Sequence, residues 1–291
     1  MHEDISMPRQ KDPVRIAVSV SVYVVTFWAA QAVFYSMLGT ARALVDVTLS
    51  TLLAALFANW LALRVYENRG LAAIGLAANR AAAGNAVAGL AGGIGAACLV
   101  LGPPLLTGAA HLARTAEQPA PGAIPFAIVM LAAGSLGEEM LFHGYAFQIL
   151  LRPLGPYATV LAVGAVFALM HGSNPHATWF GLANTAGFGI LFGYAFLRSR
   201  DLWLPIGLHF GWNCTLPLFG VNLSGLKMGV TGHEMVWTAG ALWSGGEYGP
   251  EASVLTSAVL LLLFVYIAKA PLGRQTHLLA DPPAEKALCE P

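Results

Sequence analysis

The sequence predicts an all-α polytopic membrane protein in which about eight transmembrane helices surround an intramembrane cavity. Three observations predict it. Hydrophobic residues make up 57% of the 291-residue chain and charged residues only 10%, with a mean hydropathy of +0.65, so there is too little polar surface to cover a soluble globule of this size. The apolar residues fall into runs at 16–38, 44–63, 84–107, 123–150, 157–171, 178–197, 202–220 and 253–268. Most of these approach the ~20 residues that a helix needs to cross a bilayer. Finally, Lys and Arg alternate between rich and poor connections: only Arg42, Arg114 and Lys227 of the 15 fall on one side, and the other twelve fall on the side of both ends of the chain. By the positive-inside rule this places the N- and C-termini in the cytoplasm of a multi-pass protein of the cell membrane.

The first run follows Arg9, Lys11 and Arg15 and contains Ala30-Gln31-Ala32, a cleavage-like triplet, but its 23 apolar positions exceed a signal peptide core and predict a retained anchor. With the next two runs it forms an N-terminal three-helix region, 1–122. The span 123–220 carries the polar motifs and reads as a catalytic core, and 221–291 reads as an outer loop, a last helix and a cytoplasmic tail. Gly89/Gly93, Gly189/Gly193 and Gly207/Gly211 are small residues four apart, a spacing that lets helix backbones approach closely. The connection 221–252, with Trp237 and Trp243, suits a loop lying at the membrane surface. No basic run tracks a phosphate backbone, which excludes nucleic acid as a partner. Cys98, Cys214 and Cys289 form neither a disulfide framework nor a metal-binding pair, and Cys289-Glu290-Pro291 is one residue short of a prenylation box.

Within the fourth run, Ser135-Leu-Gly-Glu138-Glu139-Met-Leu-Phe-His143-Gly144 places ionisable groups where each costs about 2.5–3.5 kcal/mol at membrane depth, so they need a partner or a task. Glu138 and Glu139 point about 100° apart on a helix, whereas Glu139 and His143, four apart, can touch. The acids need not share a role. Three further polar positions are His171, closing Phe167-Ala-Leu-Met-His171, and His209 and Asn213, four apart on one helix face. A turn over Pro153-Leu-Gly155-Pro156 lies 16 residues from both Glu139 and His171, so an antiparallel hairpin would set them at equal depth. His209 is only 9 residues past Arg200, and the mismatch in level is expected to be absorbed by a seventh helix that tilts or starts late, at Pro205.

A carboxylate and an imidazole in a dry cavity can hold a water and take its proton, and a second imidazole with a side-chain amide can donate to an oxygen that becomes negative. That division of labour hydrolyses a peptide bond without a serine or cysteine nucleophile. The motifs Glu138-Glu139-x-x-x, Phe167-x-x-x-His171 and His209-x-x-x-Asn213, in this order, resemble those of the CPBP intramembrane proteases, a family that includes the Ras-converting CAAX endopeptidases and bacterial Abi proteins. The resemblance covers roughly 123–220. It implies that Glu138 and His171 activate water and that His209 and Asn213 support the oxyanion; Glu139 and His143 would then orient the site. It also implies a peptide or protein substrate, lipidated in some members, reached from the lipid bilayer. The family has been described both as metalloproteases and as metal-independent glutamate proteases, and Glu138, His171 and His209 are ligand types that a catalytic zinc accepts. No cofactor is required by the sequence.

One position departs from the family pattern: the first motif usually ends in arginine, and here it ends in His143. Histidine can still bond Glu139 but need not be charged at pH 7. The exchange is read as leaving a working site with His143 in a supporting role, the alternative being an inactive scaffold or an immunity-like protein on the same fold. A proton-coupled transporter would also use intramembrane Glu and His, but would spread them along a path through repeated halves, and no internal repeat is visible.

Overall fold

The computed structural model describes residues 12–116, 118–276 and 278–281, so Arg9, Lys11, Lys286 and Cys289 lie outside the described residues. Every predicted apolar run carries a helix. These are α1 (Pro13–Leu38), α2 (Ala43–Ala62), α3 (Arg80–Thr107), α4 (Ala123–His143), α5 (Tyr145–Met170), α6 (Trp179–Ser199) and α7 (Trp203–Leu218), and, after the one-turn α8 (Ala241–Ser244), α9 (Val254–Lys269). By length and composition, Pro13–Leu38, Ala43–Glu67, Arg80–Thr107, Ala123–Ser173 and Trp179–Ser199 are apolar enough to cross a membrane, and Val254–Lys269 is a shorter apolar helix. The chain is an all-α polytopic membrane protein.

The helices start where the sequence supplies caps. Asp12 accepts from Val14 N at 2.9 Å ahead of Pro13, Asn79 from Ala82 N at 2.9 Å, Thr178 from Gly181 N at 3.0 Å and Ser253 from Thr256 N at 3.2 Å. The glycine pairs serve packing. A Cβ on Gly89 would stand 3.0 Å from Gly207 Cα, and one on Gly93 would stand 3.0 Å from Gly211 Cα, so α3 and α7 touch backbone to backbone. This contact fixes α7 with its glycine face against α3. His209 and Asn213, each two residues beyond a glycine, lie about 200° around the helix and are turned away from α3.

The two ends of the bundle differ. At one end, Arg15 bonds Tyr66 O, Arg69 bonds Leu278 O, Arg152 bonds Leu279 O and Arg200 bonds Gln275 O, so the segment after α9 is strapped across the helix ends by arginines. At the other end the connections are longer. A two-stranded antiparallel ribbon, β1 (Ala110–Arg114) and β2 (His233–Trp237), pairs Ala110 with Trp237 and Arg114 with His233. The ribbon adds to the helices a feature that hydrophobic runs do not register, since its strands are short and partly exposed.

Two expectations need correction. The run 123–150 is not one helix. Chain direction breaks at Gly144, where a Cβ would collide with Met140 O and Asn59 Oδ1, and then turns again at Gly155 (φ 74°, ψ 172°), which divides α5. Likewise α7 does not start late: it begins at Trp203, so Pro205 sits in its first turn, where the missing N–H costs no helical bond. The two levels nonetheless meet, with Glu138 Oε2 3.9 Å from His209 Nε2. Glu138 is about 7 Å from the end of α4 at His143, and His209 is about 9 Å from the start of α7.

Candidate active site

Five sequence-selected residues meet. Glu138, His171, His209 and Asn213 line one cavity, and Glu139 lies behind it. Glu138 Oε2 stands 4.0 Å from His171 Nε2 and 3.9 Å from His209 Nε2, and this buried oxygen has no hydrogen-bond partner. Two imidazole nitrogens and a carboxylate oxygen therefore converge on a space that one water can bridge. The tautomer of His171 follows from its other nitrogen. Nδ1 lies 2.8 Å from Phe167 O, which can only accept, so Nδ1 carries a proton, and in the neutral ring Nε2 is the nitrogen that offers a lone pair to the cavity. The Phe167 ring, 4.6 Å from the imidazole, backs it.

Glu139 is fully buried and holds two histidines. His143 Nδ1 donates to Oε2 at 2.7 Å and His209 Nδ1 donates to Oε1 at 2.8 Å. His209 is further stacked on Phe192, with ring centroids 4.9 Å apart and planes 15° apart, so its Nε2 is aimed by a carboxylate behind and a ring beside. His143 contacts no cavity: its Nε2 is buried without a partner and faces Gly193, whose added Cβ would stand 3.5 Å away. The position allotted to arginine in the family is thus filled by a smaller, dry side chain serving Glu139 alone.

The break at Gly144 is held by residues outside the motifs. Asn59 of α2 accepts from Tyr145 N at 2.8 Å and donates to Met140 O at 3.1 Å, and the Tyr23 hydroxyl of α1 donates towards Met140 O and Leu141 O at 3.2 and 3.1 Å. These residues replace the helical bonds that α4 loses at its end. Asn59 was legible only as a lone polar residue in an apolar run.

Sequence reasoning also passed over Glu251. It lies in the 3-10 turn Pro250–Ala252, lines the same cavity, and accepts from the Ser224 N–H, from Ser224 Oγ at 2.9 Å and from Trp212 Nε1 at 3.4 Å. Burial pushes its carboxyl above the usual carboxylate range. No motif marks it, because an acid in a polar loop is ordinary until the loop folds inward.

Zinc is a poor match to the cluster as arranged. Ligands about 2.0–2.1 Å from a tetrahedral ion stand about 3.3 Å from one another, closer than the 3.9 and 4.0 Å here. Among the described residues no group of three His, Cys, Asp or Glu is placed to hold a metal ion.

Residues 120–215 match a family model described as type II CAAX prenyl endopeptidase Rce1-like. The matched segment holds every residue of the cluster except Glu251 and the α1 and α2 latch. No curated protein matches the chain.

Proposed function

With residues 120–215 assigned to the Rce1-like CAAX endopeptidase family, we propose that the protein is an intramembrane endopeptidase that hydrolyses a peptide bond at the membrane. The observation that carries the reading is the unpartnered Glu138 Oε2 facing both Nε2 atoms.

A water in that space donates one proton towards Glu138 and the other towards His171 Nε2, which leaves an oxygen lone pair free to attack a carbonyl. Glu138 takes the proton as the bond forms and later delivers it to the leaving amine. His209 and Asn213 stabilise the oxygen that becomes negative. Since His209 Nδ1 already donates to Glu139, the form that also donates from Nε2 is the imidazolium, and the buried Glu139 supplies its counter-charge. His143 holds Glu139 in the orientation that serves His209. No step requires a metal, and zinc at Glu138, His171 and His209 would require those side chains to close in.

The substrate is a peptide with an apolar attachment. From Glu138 the cavity continues between α1, α2 and α4 along Trp28, Leu44, Val47, Met130 and Leu131, which suits a lipid chain or an apolar peptide segment. The positive charge at the end of the bundle that holds the strap supports cytoplasmic termini. The test is cleavage of quenched fluorescent peptides, prenylated and unprenylated, by the purified protein in detergent, with Glu138→Gln and a chelator in parallel. Cleavage lost in Glu138→Gln and retained in chelator is expected. A folded wild type that cleaves neither class overturns the peptidase reading, and loss in chelator overturns the metal-free one.

A further inference from the structure

We propose that the cavity has one mouth, at the end of the bundle opposite the chain termini, so that the site takes its peptide from the leaflet facing the long connections. This deepens the peptidase reading and rests on it for the substrate. The observation is the course of the cavity along the helices. From Glu138, near the end of α4, the lining steps back along α4 through Gly134, Leu131 and Met130, and continues at Thr48, Val47 and Leu44 in the first two turns of α2. Further wall is supplied by Phe27, Trp28 and Gln31 of α1, by Asn174, just past α5, and by Ser224 and Leu226 of the loop after α7. Apart from the α1 residues, which stand in the middle of their helix, these positions lie towards the end that carries β1 and β2. Leu44 and Leu226 are 41% and 40% exposed, which makes the mouth open.

On the terminal side the cluster is closed by packed side chains. Glu139, Met140, His143 and Gln148 have no exposed surface, and Gln148 bonds Ile74 O at 2.9 Å. Below them the strap places Leu278 and Leu279, 2% and 1% exposed, against the core, with Leu279 N bonded to Ala73 O at 2.8 Å. A peptide approaching from that end meets two layers of buried side chains. One approaching from the other end meets a polar pocket with an apolar slot beside it. Given cytoplasmic termini, the substrate is an extracytoplasmic peptide with an apolar anchor in the outer leaflet.

The test reads access without requiring turnover. In a background of Cys98→Ala, Cys214→Ala and Cys289→Ala, single cysteines are placed at the mouth (Leu44→Cys), in the cavity (Asn174→Cys), in the seal (Gln148→Cys) and at the end of α9 (Lys269→Cys). A membrane-impermeant sulfonated maleimide is applied to sealed right-side-out and inverted vesicles. Labelling of Leu44→Cys and Asn174→Cys from one side and of Lys269→Cys only from the other is expected, with Gln148→Cys unlabelled until detergent unfolds the protein. Labelling of the cavity positions from the side that labels Lys269→Cys, labelling of Gln148→Cys from that side, or cavity positions silent from both sides overturns the proposal. If the opposition holds but Lys269→Cys reacts in right-side-out vesicles, the single mouth stands and the cytoplasmic assignment of the termini falls. Failure of peptide cleavage leaves this readout unchanged, so the peptidase reading and the single mouth fail separately.

Discussion

Glu138 and Glu139 are neighbours in the chain and live in opposite surroundings. The Glu138 side chain is 32% exposed, lines the cavity and leaves Oε2 without a partner, whereas Glu139 has no exposed surface and spends both oxygens on histidines. The cause is the 100° step of the helix, which turns one acid towards the cavity and the other towards α7 and the end of α4. The same residue type thus supplies a reactive group with spare hydrogen-bonding capacity and a structural group with none. What separates them is access and pairing, since a fully buried carboxylate with a charge-assisted bond on each oxygen meets no water.

The contrast can be broken from either side, and the effects should fall in a definite order. Glu138→Gln keeps the shape but removes the base, and should lower peptide cleavage by about 100- to 10,000-fold. Its thermal midpoint should match that of the wild type, because Oε2 has no bond to lose. Glu139→Ala should lower activity and stability together: removing one partner of a buried ionic cluster costs about 3–5 kcal/mol, read as a clear drop in the midpoint. If Glu139→Ala melts like the wild type, the division of roles is wrong.

Asn59→Ala should cost about 1–3 kcal/mol by stranding Tyr145 N. Activity should fall with it, because the break that sets the level of Glu138 loses its latch. The smallest effect is expected for Glu251→Gln. Since burial raises this carboxyl, the folded state keeps a proton that the unfolded chain releases as pH rises through the interval between the ordinary and the raised value. Ionisation above that interval therefore weakens the fold, and Glu251→Gln should raise the midpoint slightly at pH 8 and leave it unchanged at pH 4. A midpoint that falls at both pH values would show that the charge on Glu251 holds Ser224 in place.

Much of this molecule was legible along the chain. Eight apolar runs became helices because length and hydropathy are one-dimensional properties, and the pairs Gly89/Gly93 and Gly207/Gly211 met backbone because residues four apart share a helix face. The three motifs were legible for the same reason: an ionisable side chain in an apolar run is conspicuous wherever it later points. Where the reading missed, it missed in turns. The helix was carried through Gly144 because the residues after it stay apolar, and only Asn59 and Tyr23, from two other helices, make a break there affordable. The hairpin about Gly155 does set Glu138 opposite His171, but the seventh helix expected to start late at Pro205 begins at Trp203. Glu251 was illegible because loops lack the periodicity that ties a sequence position to a face.

The membrane class, the helices and the polar residues that would cluster could be read from the chain, since composition and helical period act within one segment. Tertiary structure alone decided which glutamate meets water, which end of the bundle is open and how the seven residues of the cluster divide between cavity and seal. These depend on distances between helices, and a hydrogen bond or an open mouth is a property of several segments at once.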